Sequence, residues 1–353
     1  MKAAPVYAAL RERAGIQQTL VHTGQHYDYG MSEIFFQQLA LPAPDVNLEV
    51  GSGTHTAQTA QIMLRLEPVL LERRPDLVVV YGDVNSTLAA ALVCAKLGIP
   101  LAHVEAGLRS FDRTMPEEVN RLLTDQVADL LFTPSQDADV NLSREGISKE
   151  KIHLVGNVMI DTLVRLLPLA LRKWQGNSMT VEGIVVEQGR YILTTLHRPS
   201  NVDDPETLQA IMNALSEISE SVPVVFPVHP RTRQRLNVLT DVNLNSALHL
   251  VSPLGYLDFL ALEGHALAVI TDSGGIQEET TFLNVPCLTV RENTERPVTV
   301  TMGTNILVGR DFEKLVREVR VIVKGIAKRG SIPPLWDGNA SERIADTICR
   351  WGE

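Results

Sequence analysis

The sequence has few cysteines and no long apolar segment. Cys94, Cys287 and Cys349 lie far apart, form no CxxC pair and follow no secretory signal. Such a sparse, odd-numbered set is typical of a reducing compartment, so we expect ordinary core or surface cysteines in a cytoplasmic protein. No run of 18 apolar residues occurs, and such a run is what a membrane-spanning helix requires. We therefore expect no membrane segment.

An excess of positive charge is also lacking. Lysine and arginine number 32 against 42 aspartates and glutamates, which gives a formal net charge of −10. This balance argues against a nucleic-acid-binding protein, because such proteins carry a basic surface. Any anionic ligand must be held by local donors against an unfavourable overall field.

The chain is long enough for two domains. At 353 residues and 44% hydrophobic content, it suits two cores of about 150 to 180 residues each. Short apolar strands alternate with amphipathic helices, which predicts parallel sheets with right-handed crossovers in two Rossmann-like, doubly wound α/β domains. We place the domains at 1–170 and 171–335, with a polar linker at 171–178. The expected strands are 19–23, 77–81, 101–104, 130–133, 152–155, 191–195, 224–227, 248–251, 267–271, 286–290 and 305–307.

The start of the chain departs from this pattern. A doubly wound domain normally begins with a strand and a Gly-rich turn, whereas residues 1–10 have the composition of a helix already under way. We therefore expect the first strand of the N-terminal domain, and the loop after it, to be missing.

Carboxylates follow apolar strands in the first half of the chain. Asp83 comes directly after strand 77–81 and Gly82, and Glu105 and Glu117 lie a short distance downstream. The carboxyl ends of parallel strands meet at one edge of a sheet, so these side chains gather where acid–base chemistry can run.

A glycine-rich turn follows an apolar strand in the second half. Ser273, Gly274 and Gly275 open a helix after strand 267–271. Two glycines allow backbone N–H groups to approach an anion closely, and the positive end of the helix dipole favours a diphosphate there. Carboxylates in one half and this turn in the other suggest a nucleotide-linked substrate in a cleft between the two domains.

These residues belong to an ordered set of motifs that resembles the UDP-N-acetylglucosamine 2-epimerases of the non-hydrolysing type. The resemblance covers residues 1 to about 308. The motifs are Thr23-Gly24-Gln25-His26-Tyr27-Asp28, Gly82-Asp83, His103-Val104-Glu105-Ala106-Gly107-Leu108-Arg109, Pro116-Glu117-Glu118-Val119-Asn120-Arg121, Gly156-Asn157-Val158, Thr195-Leu196-His197-Arg198, Pro227-Val228-His229-Pro230, Thr271-Asp272-Ser273-Gly274-Gly275-Ile276-Gln277-Glu278-Glu279 and Thr294-Glu295-Arg296-Pro297.

The resemblance implies a two-domain fold of the GT-B glycosyltransferase kind. In that fold a last segment, here 336–353 with its helix at about 338–351, crosses back onto the N-terminal domain. The resemblance also implies a homodimer that interconverts UDP-GlcNAc and UDP-ManNAc without metal or nicotinamide, supplying ManNAc units for surface polysaccharides.

The resemblance also implies roles for particular residues. By motif position the catalytic acids correspond to Asp83, Glu105 and Glu117, and His197 adds a donor to the leaving UDP. The expected UDP-binding residues are Ser273, Gly274 and Gly275 on the diphosphate, Glu279 on the ribose hydroxyls, Phe259 on uracil, and Arg296 and Lys2. Gln25 and His26 match a stretch where some bacterial members bind a second UDP-GlcNAc as an activator.

Two positions depart from the family pattern. The family usually begins with a strand and a Gly-Thr-Arg-Pro-Glu loop, and this sequence begins after it, so an arginine expected on the diphosphate is missing. The segment 197–201, His-Arg-Pro-Ser-Asn, lacks an acidic residue that the family often carries. This second departure concerns one contact rather than the reaction class.

The implied reaction explains the need for several carboxylates. The C2 hydrogen of an N-acetylhexosamine is not next to a carbonyl, so direct deprotonation would leave an unstabilised carbanion. Loss of UDP from C1 makes that hydrogen acidic and gives a 2-acetamidoglucal. Readdition of UDP with protonation on the other face yields the epimer, which requires an acid or base on each side of C2.

Each catalytic carboxylate has a structural alternative. Asp83 can cap the helix that follows it, and Glu105 can form a surface ion pair with Arg109. Glu117 and Glu118 follow a proline at a helix start, where acidic residues favour the helix dipole.

The residues of the second half have alternatives too. Gly274 and Gly275 can form only a tight turn, His197 can be a satisfied core histidine, and Phe259 can be a core aromatic residue. Three functions therefore stay open: the non-hydrolysing epimerase, which we favour; a hydrolysing relative or a glycosyltransferase of the same fold; and a protein that binds UDP without turnover.

Overall fold

The computed structural model describes residues 1–24, 39, 41–236 and 245–352. It divides into two compact units: unit 1 contains residues 1–162 and 334–353, and unit 2 contains residues 163–333. The boundary between residues 162 and 163 falls inside a continuous helix, Val158–Leu171, and not at the predicted linker, 171–178. Within the described ranges no helix is long and apolar enough to cross a membrane.

Unit 1 is built on a parallel sheet. Four strands lie in the order β3-β4-β5-β6, and β1 pairs in parallel with β2 as a separate small sheet. Strands β4 and β5 are buried along their whole length, as is usual for parallel strands covered on both faces. The strands are β1 Val21–His22, β2 Val46–Asn47, β3 Val78–Tyr81, β4 Leu101–Val104, β5 Leu130–Thr133 and β6 Ile152–Leu154.

The helices of unit 1 begin and end at recognisable signals. Helix His55–Arg73 begins after Thr54, whose hydroxyl accepts from the Ala57 N–H, and helix Asn85–Leu97 ends at Gly98, which has a positive φ of 68°. The described helices are α1 Ala3–Arg11, α2 His55–Arg73, α3 Asn85–Leu97, α4 Pro116–Val127, α5 Gln136–Arg144 and α6 Val158–Leu171. α6 continues into unit 2.

The last helix of the chain belongs to unit 1. Helix Ala340–Trp351 packs beside α1, and its apolar residues share a core with that helix and with β4 and β5. The Asp161 carboxylate accepts from the first N–H groups of this helix, at 3.1 Å from Ala340 and 2.6 Å from Ser341. The C-terminal segment is thereby anchored through its helix start.

Unit 2 contains a six-stranded parallel sheet in the order β11-β10-β9-β12-β13-β14. Numbered from β9, this is the order 3-2-1-4-5-6 of dinucleotide-binding folds, in which ligands bind where the order reverses, here between β9 and β12. The strands are β9 Ile192–Thr195, β10 Val224–Pro227, β11 Leu248–Val251, β12 Ala268–Thr271, β13 Cys287–Thr289 and β14 Asn305–Leu307. The helices of unit 2 that follow α6 are α7 Pro199–Val202, α8 Pro205–Ser219, α9 Pro230–Leu236, α10 Tyr256–Glu263, α11 Gly274–Leu283, α12 Pro297–Thr301 and α13 Phe312–Val323. The last helix of unit 1, described above, is α14 Ala340–Trp351.

The expected strands are confirmed, each to within two residues at either end. Two strand pairings were not predicted. One is the pairing of β1 with β2, and the other is an antiparallel hairpin of β7 (Ser178–Val181) and β8 (Ile184–Glu187). Its two-residue turn, Glu182-Gly183, has positive φ at both positions, as the hairpin turns favoured by strand twist require.

Candidate active site

In unit 1, two carboxylate-bearing turns follow neighbouring strands. β3 pairs with β4 in register, so the Gly82-Asp83 turn and Glu105 lie at the same edge of the sheet. Gly82 has a φ of +66°, and a Cβ built there would lie 2.7 Å from the Lys2 ammonium and 3.2 Å from Glu105 Oε2. A glycine is therefore needed for these two side chains to meet.

Glu105 has an uncommon backbone conformation and a cationic partner. Its φ is +75°, a region that residues with a Cβ rarely adopt, and such strain clusters at functional sites. The residue is buried, and its carboxylate forms an ion pair with Lys2. The alternative of a surface pair with Arg109 is wrong, because that guanidinium is buried and binds Asp125 and Glu145.

Asp83 is held by a buried arginine. Its carboxylate, 23% exposed, pairs with Arg121, whose Nη2 also lies 3.1 Å from Glu118 Oε2. The N-cap residue of the following helix is Val84, so the alternative that Asp83 occupies the cap position is wrong. Arg121 thus links Asp83 to the start of α4.

Glu117 and Glu118 are adjacent in α4 but differ in their surroundings. Glu118 is buried and accepts from the N–H groups of Ser110 and Phe111 at 2.9 Å each, which makes it structural. Glu117 is half-buried, and its side chain has no hydrogen-bond or ion-pair partner among the residues that the structure describes. Of these two glutamates, Glu117 is therefore the one available for acid–base chemistry.

A buried charged cluster lies behind these turns, and the sequence did not predict it. His103 places Nδ1 2.6 Å from Asp125 Oδ1 and Nε2 2.8 Å from the Gly82 carbonyl oxygen. Asp125 Oδ2 accepts from the Gly107 N–H at 3.1 Å and lies 2.7 Å from Arg109 Nη1. Burial alone would raise the pKa of Asp125, but His103 and Arg109 outweigh it and hold that pKa below its usual value.

In unit 2, His197 and Asp272 meet at the reversal of strand order. The imidazole follows β9, is 56% exposed, and lies with Nδ1 2.9 Å from Asp272 Oδ1. Asp272 follows β12 and is buried; it also accepts from the N–H groups of His197 and Arg198. Burial opposes ionisation, yet these bonds keep the pKa of Asp272 below its ordinary value. The alternative of a core histidine is wrong for His197.

The glycine-rich turn forms the start of α11, as predicted. Ser273 is the N-cap residue. A Cβ on Gly274 would lie 2.4 Å from Arg296 Nη1 and 2.8 Å from Glu295 Oε1, so the glycine lets the guanidinium reach the helix N-terminus. Arg296 is itself buried and held by Glu278, 2.8 Å from its Nε, and by Glu295. The turn is therefore more than a change of chain direction, since a cation is fixed beside the helix N-terminus that it forms.

Glu279 lies in a buried acidic group one turn into α11. Its Oε1 accepts from the Tyr256 hydroxyl at 2.8 Å. Burial raises the pKa of Glu279, and burial together with the charge of Glu279 raises that of Glu263 well above its usual range. Phe259, on the same helix as Tyr256, is half-buried. The contacts of Tyr256 and Glu263 could not be found from sequence, because no motif includes them.

The candidate residues thus form two clusters, one within each unit. Lys2, Asp83, Glu105 and Glu117 lie in unit 1, and the remaining described candidates lie in unit 2. Lys2, expected on UDP, is placed against Glu105. Gln25 and His26, matched to an activator site, lie outside the described residues.

Comparison with known proteins identifies the family of the chain. The family model for UDP-N-acetylglucosamine 2-epimerase matches residues 8–349. A UDP-N-acetylglucosamine 2-epimerase of Methanocaldococcus jannaschii is 46% identical over 349 residues, covering 98% of this chain and 94% of that protein. A UDP-2,3-diacetamido-2,3-dideoxy-D-glucuronate 2-epimerase of Pseudomonas aeruginosa is 43% identical over 354 residues, covering 99% of this chain and 96% of that protein.

A solved structure extends the comparison to the fold. The crystal structure of the M. jannaschii UDP-GlcNAc 2-epimerase in complex with UDP-GlcNAc and UDP matches with a TM-score of 0.87 at 44% identity, covering 99% of this chain and 96% of that one. The predicted class of two α/β domains with parallel sheets is confirmed. Because the family model and these relatives match nearly the whole chain, this protein belongs to the UDP-N-acetylglucosamine 2-epimerase family.

Proposed function

We propose that this protein interconverts UDP-N-acetylglucosamine and UDP-N-acetylmannosamine by eliminating UDP and adding it back. The observation that carries the proposal is the pair of carboxylates, Asp83 and Glu105, at the ends of neighbouring strands, each touching a buried or half-buried cation. Epimerisation at C2 needs an acid or base on each face of the sugar ring, and closely placed carboxylates meet that need.

The proposed reaction balances without an external reagent. In the first step a carboxylate takes the C2 proton as the bond between C1 and the diphosphate oxygen breaks, and UDP leaves with the bonding electrons by anti elimination. The product is 2-acetamidoglucal with UDP still bound. In the second step a diphosphate oxygen of UDP adds to C1, and a carboxylic acid on the opposite face returns a proton to C2. Asp83, Glu105 and Glu117 are proposed to divide these roles.

The leaving diphosphate needs donors where negative charge develops. We assign this role to Ser273, to the N–H groups of Gly274 and Gly275, and to Arg296, which lies at the same helix start. His197 is proposed to add a donor, because Asp272 holds its Nδ1 in place while about half of the side chain is exposed. In this proposal bond breaking at C1 requires no metal.

The nucleoside is assigned to the group around α10 and α11. Glu279 is proposed to accept from the ribose hydroxyls, and Phe259 to contact uracil. Lys2, which pairs with Glu105, is also proposed to contact the diphosphate. Homodimer formation and a cytoplasmic location stay predictions.

The sugar itself has a second candidate. The P. aeruginosa relative carries the name of an epimerase for UDP-2,3-diacetamido-2,3-dideoxy-D-glucuronate and is almost as similar as the M. jannaschii protein. Both reactions invert C2 of a UDP-linked 2-acetamido sugar, so the proposed carboxylates serve either. Comparing kcat/KM for the two UDP-sugars decides between them, and we expect the larger value for UDP-GlcNAc.

Turnover in deuterated water tests the reaction. We expect deuterium at C2 of UDP-ManNAc and of recovered UDP-GlcNAc, and 2-acetamidoglucal in rapidly quenched mixtures. Product without deuterium rules out proton exchange at C2. Free N-acetylmannosamine together with UDP supports the hydrolysing alternative, and bound UDP with no turnover supports the binding protein.

A further inference from the structure

His103 is enclosed by hydrogen-bond acceptors on both sides. It lies in β4 with no exposed surface, and each ring nitrogen is within hydrogen-bond distance of an oxygen: Asp125 Oδ1 at 2.6 Å and the Gly82 carbonyl at 2.8 Å. A carbonyl oxygen can only accept, so Nε2 must carry a proton.

Asp125 is equally restricted to accepting. Its second oxygen receives the Gly107 N–H at 3.1 Å and lies 2.7 Å from Arg109 Nη1, so both oxygens face donors. Together with His103 these donors hold the pKa of Asp125 below its ordinary value, so its carboxylate anchors the ring through Nδ1.

The ring also joins the two turns that carry the candidate carboxylates. His103 is two residues before Glu105 in the chain, and its Nε2 holds the carbonyl of Gly82, the residue before Asp83. Its position therefore fixes where the Gly82-Asp83 turn lies relative to the end of β4.

We propose that His103 is a positioning residue that bridges Asp125 and the Gly82 carbonyl and thereby fixes the Asp83 carboxylate relative to Glu105. This inference deepens the proposed function and rests on it for the roles of Asp83 and Glu105. His103 touches neither the substrate nor the transferred proton.

The bridge is tested on the unaltered protein by NMR of ¹⁵N-labelled histidine, with His103 assigned through bonds to its neighbours. We expect a slowly exchanging proton on Nε2, because that nitrogen is buried and faces a carbonyl oxygen. His197, whose ring is exposed, is the internal control and should show fast exchange. A His103 Nε2 without a proton overturns the proposal.

Kinetics test the positioning role. We expect His103→Gln, which lacks a ring that can bridge Asp125 and the Gly82 carbonyl, to lower kcat about tenfold to a hundredfold through misplacement of Asp83. KM for UDP-GlcNAc should change by less than about threefold, since the proposed UDP contacts other than Lys2 lie in unit 2. His153→Gln should leave kcat unchanged. An unchanged kcat in folded His103→Gln refutes the positioning role. Absence of epimerisation by the unaltered protein refutes the proposed function, while the NMR result still stands.

Discussion

At the scale of single residues, neighbours in one helical turn have different tasks. Glu118 is enclosed by donors from Ser110, Phe111 and Arg121, whereas the Glu117 carboxylate meets no partner in the part of the chain that the structure describes. Both occupy the position where acidic residues favour the start of a helix. Composition and helix position therefore could not separate them, and only the contacts from distant residues do.

This difference predicts opposite results for one conservative change. Glu118→Gln places an amide NH₂ against these donors and leaves Arg121 with less compensation, so we expect a loss of about 3 to 5 kcal/mol of unfolding free energy. Glu117→Gln should keep the melting temperature and lower kcat by about 10² to 10⁴. Thermal unfolding and epimerisation assays on both variants provide the comparison. A stable Glu118→Gln protein, or a fully active Glu117→Gln protein, contradicts these assignments.

Glu263 gives the protein a pH-dependent stability. Its folded-state pKa is raised by burial and by the charge of Glu279, so the folded protein binds its proton more tightly than the unfolded chain does. Stability from this group is complete below the unfolded pKa of about 4.5 and is lost as the pH rises toward the folded value. Glu263→Gln, which resembles the protonated acid, should therefore remove this loss.

The matching measurement is a series of unfolding experiments between about pH 5 and about pH 8. We expect Glu263→Gln to gain stability relative to the unaltered protein as the pH rises, with the smallest difference at the acidic end. Asp203→Asn, at a half-buried position distant in sequence from Glu279, serves as the control. Parallel stability curves for Glu263→Gln and the unaltered protein show that Glu263 does not bind a proton in this range.

At the scale of elements, apolar strand patterns predicted the parallel sheets well. Buried parallel strands have nearly continuous apolar sequences, and glycines or carboxylates end them at Gly82 and Asp272. The hairpin of β7 and β8 was missed because its turn is Glu182-Gly183, in which a glutamate takes a positive φ, and its strands follow a polar stretch. β2 was missed because it has only two residues.

The sequence likewise predicted some residues of the candidate site and not others. Strand ends and motifs led to Asp83, Glu105 and the glycine-rich turn. Their partners were not predicted, because Arg121 and Asp272 join residues that are distant in sequence. Sequence spacing indicates which residues share an element. It does not indicate which side chains meet across elements.

The start of α11 provides a steric prediction. Gly274→Ala introduces a Cβ that would lie 2.4 Å from Arg296 Nη1, so the guanidinium must move away from the helix N-terminus. We expect UDP affinity to fall about tenfold or more, since about 1.4 kcal/mol of binding suffices for that change. Isothermal titration with UDP measures it. Gly53→Ala is the control, because nothing lies within 4 Å of its added Cβ. Equal UDP affinity in both variants argues against this turn as the diphosphate site.

At the scale of the whole molecule, the two clusters belong to separately packed units. Among the described residues, an apolar core packs around the sheet of unit 2, and other apolar clusters pack on the sheet of unit 1. A conservative change at a carboxylate of unit 1 should therefore leave the nucleotide contacts of unit 2 intact. A variant can therefore lose turnover while it keeps its affinity for UDP.

Asp83→Asn tests this separation. We expect turnover to fall by about 10² to 10⁴, the usual contribution of a positioned acid or base, while UDP affinity stays within about twofold. Asp76→Asn, an exposed position ahead of β3, should change neither quantity. A parallel loss of UDP binding in Asp83→Asn indicates that this carboxylate acts on nucleotide binding rather than on the sugar.

The C-terminal segment has a consequence for the order of folding during synthesis. Unit 2 is one continuous stretch, residues 163–333, whereas unit 1 needs residues 334–353 to complete the core beside α1. On the ribosome, unit 2 can close as soon as its own residues have emerged. Unit 1, although made first, keeps an apolar surface uncovered until the last helix is released. A chaperone that acts on the nascent chain would therefore find its apolar binding surface on the part of unit 1 that is synthesised before unit 2.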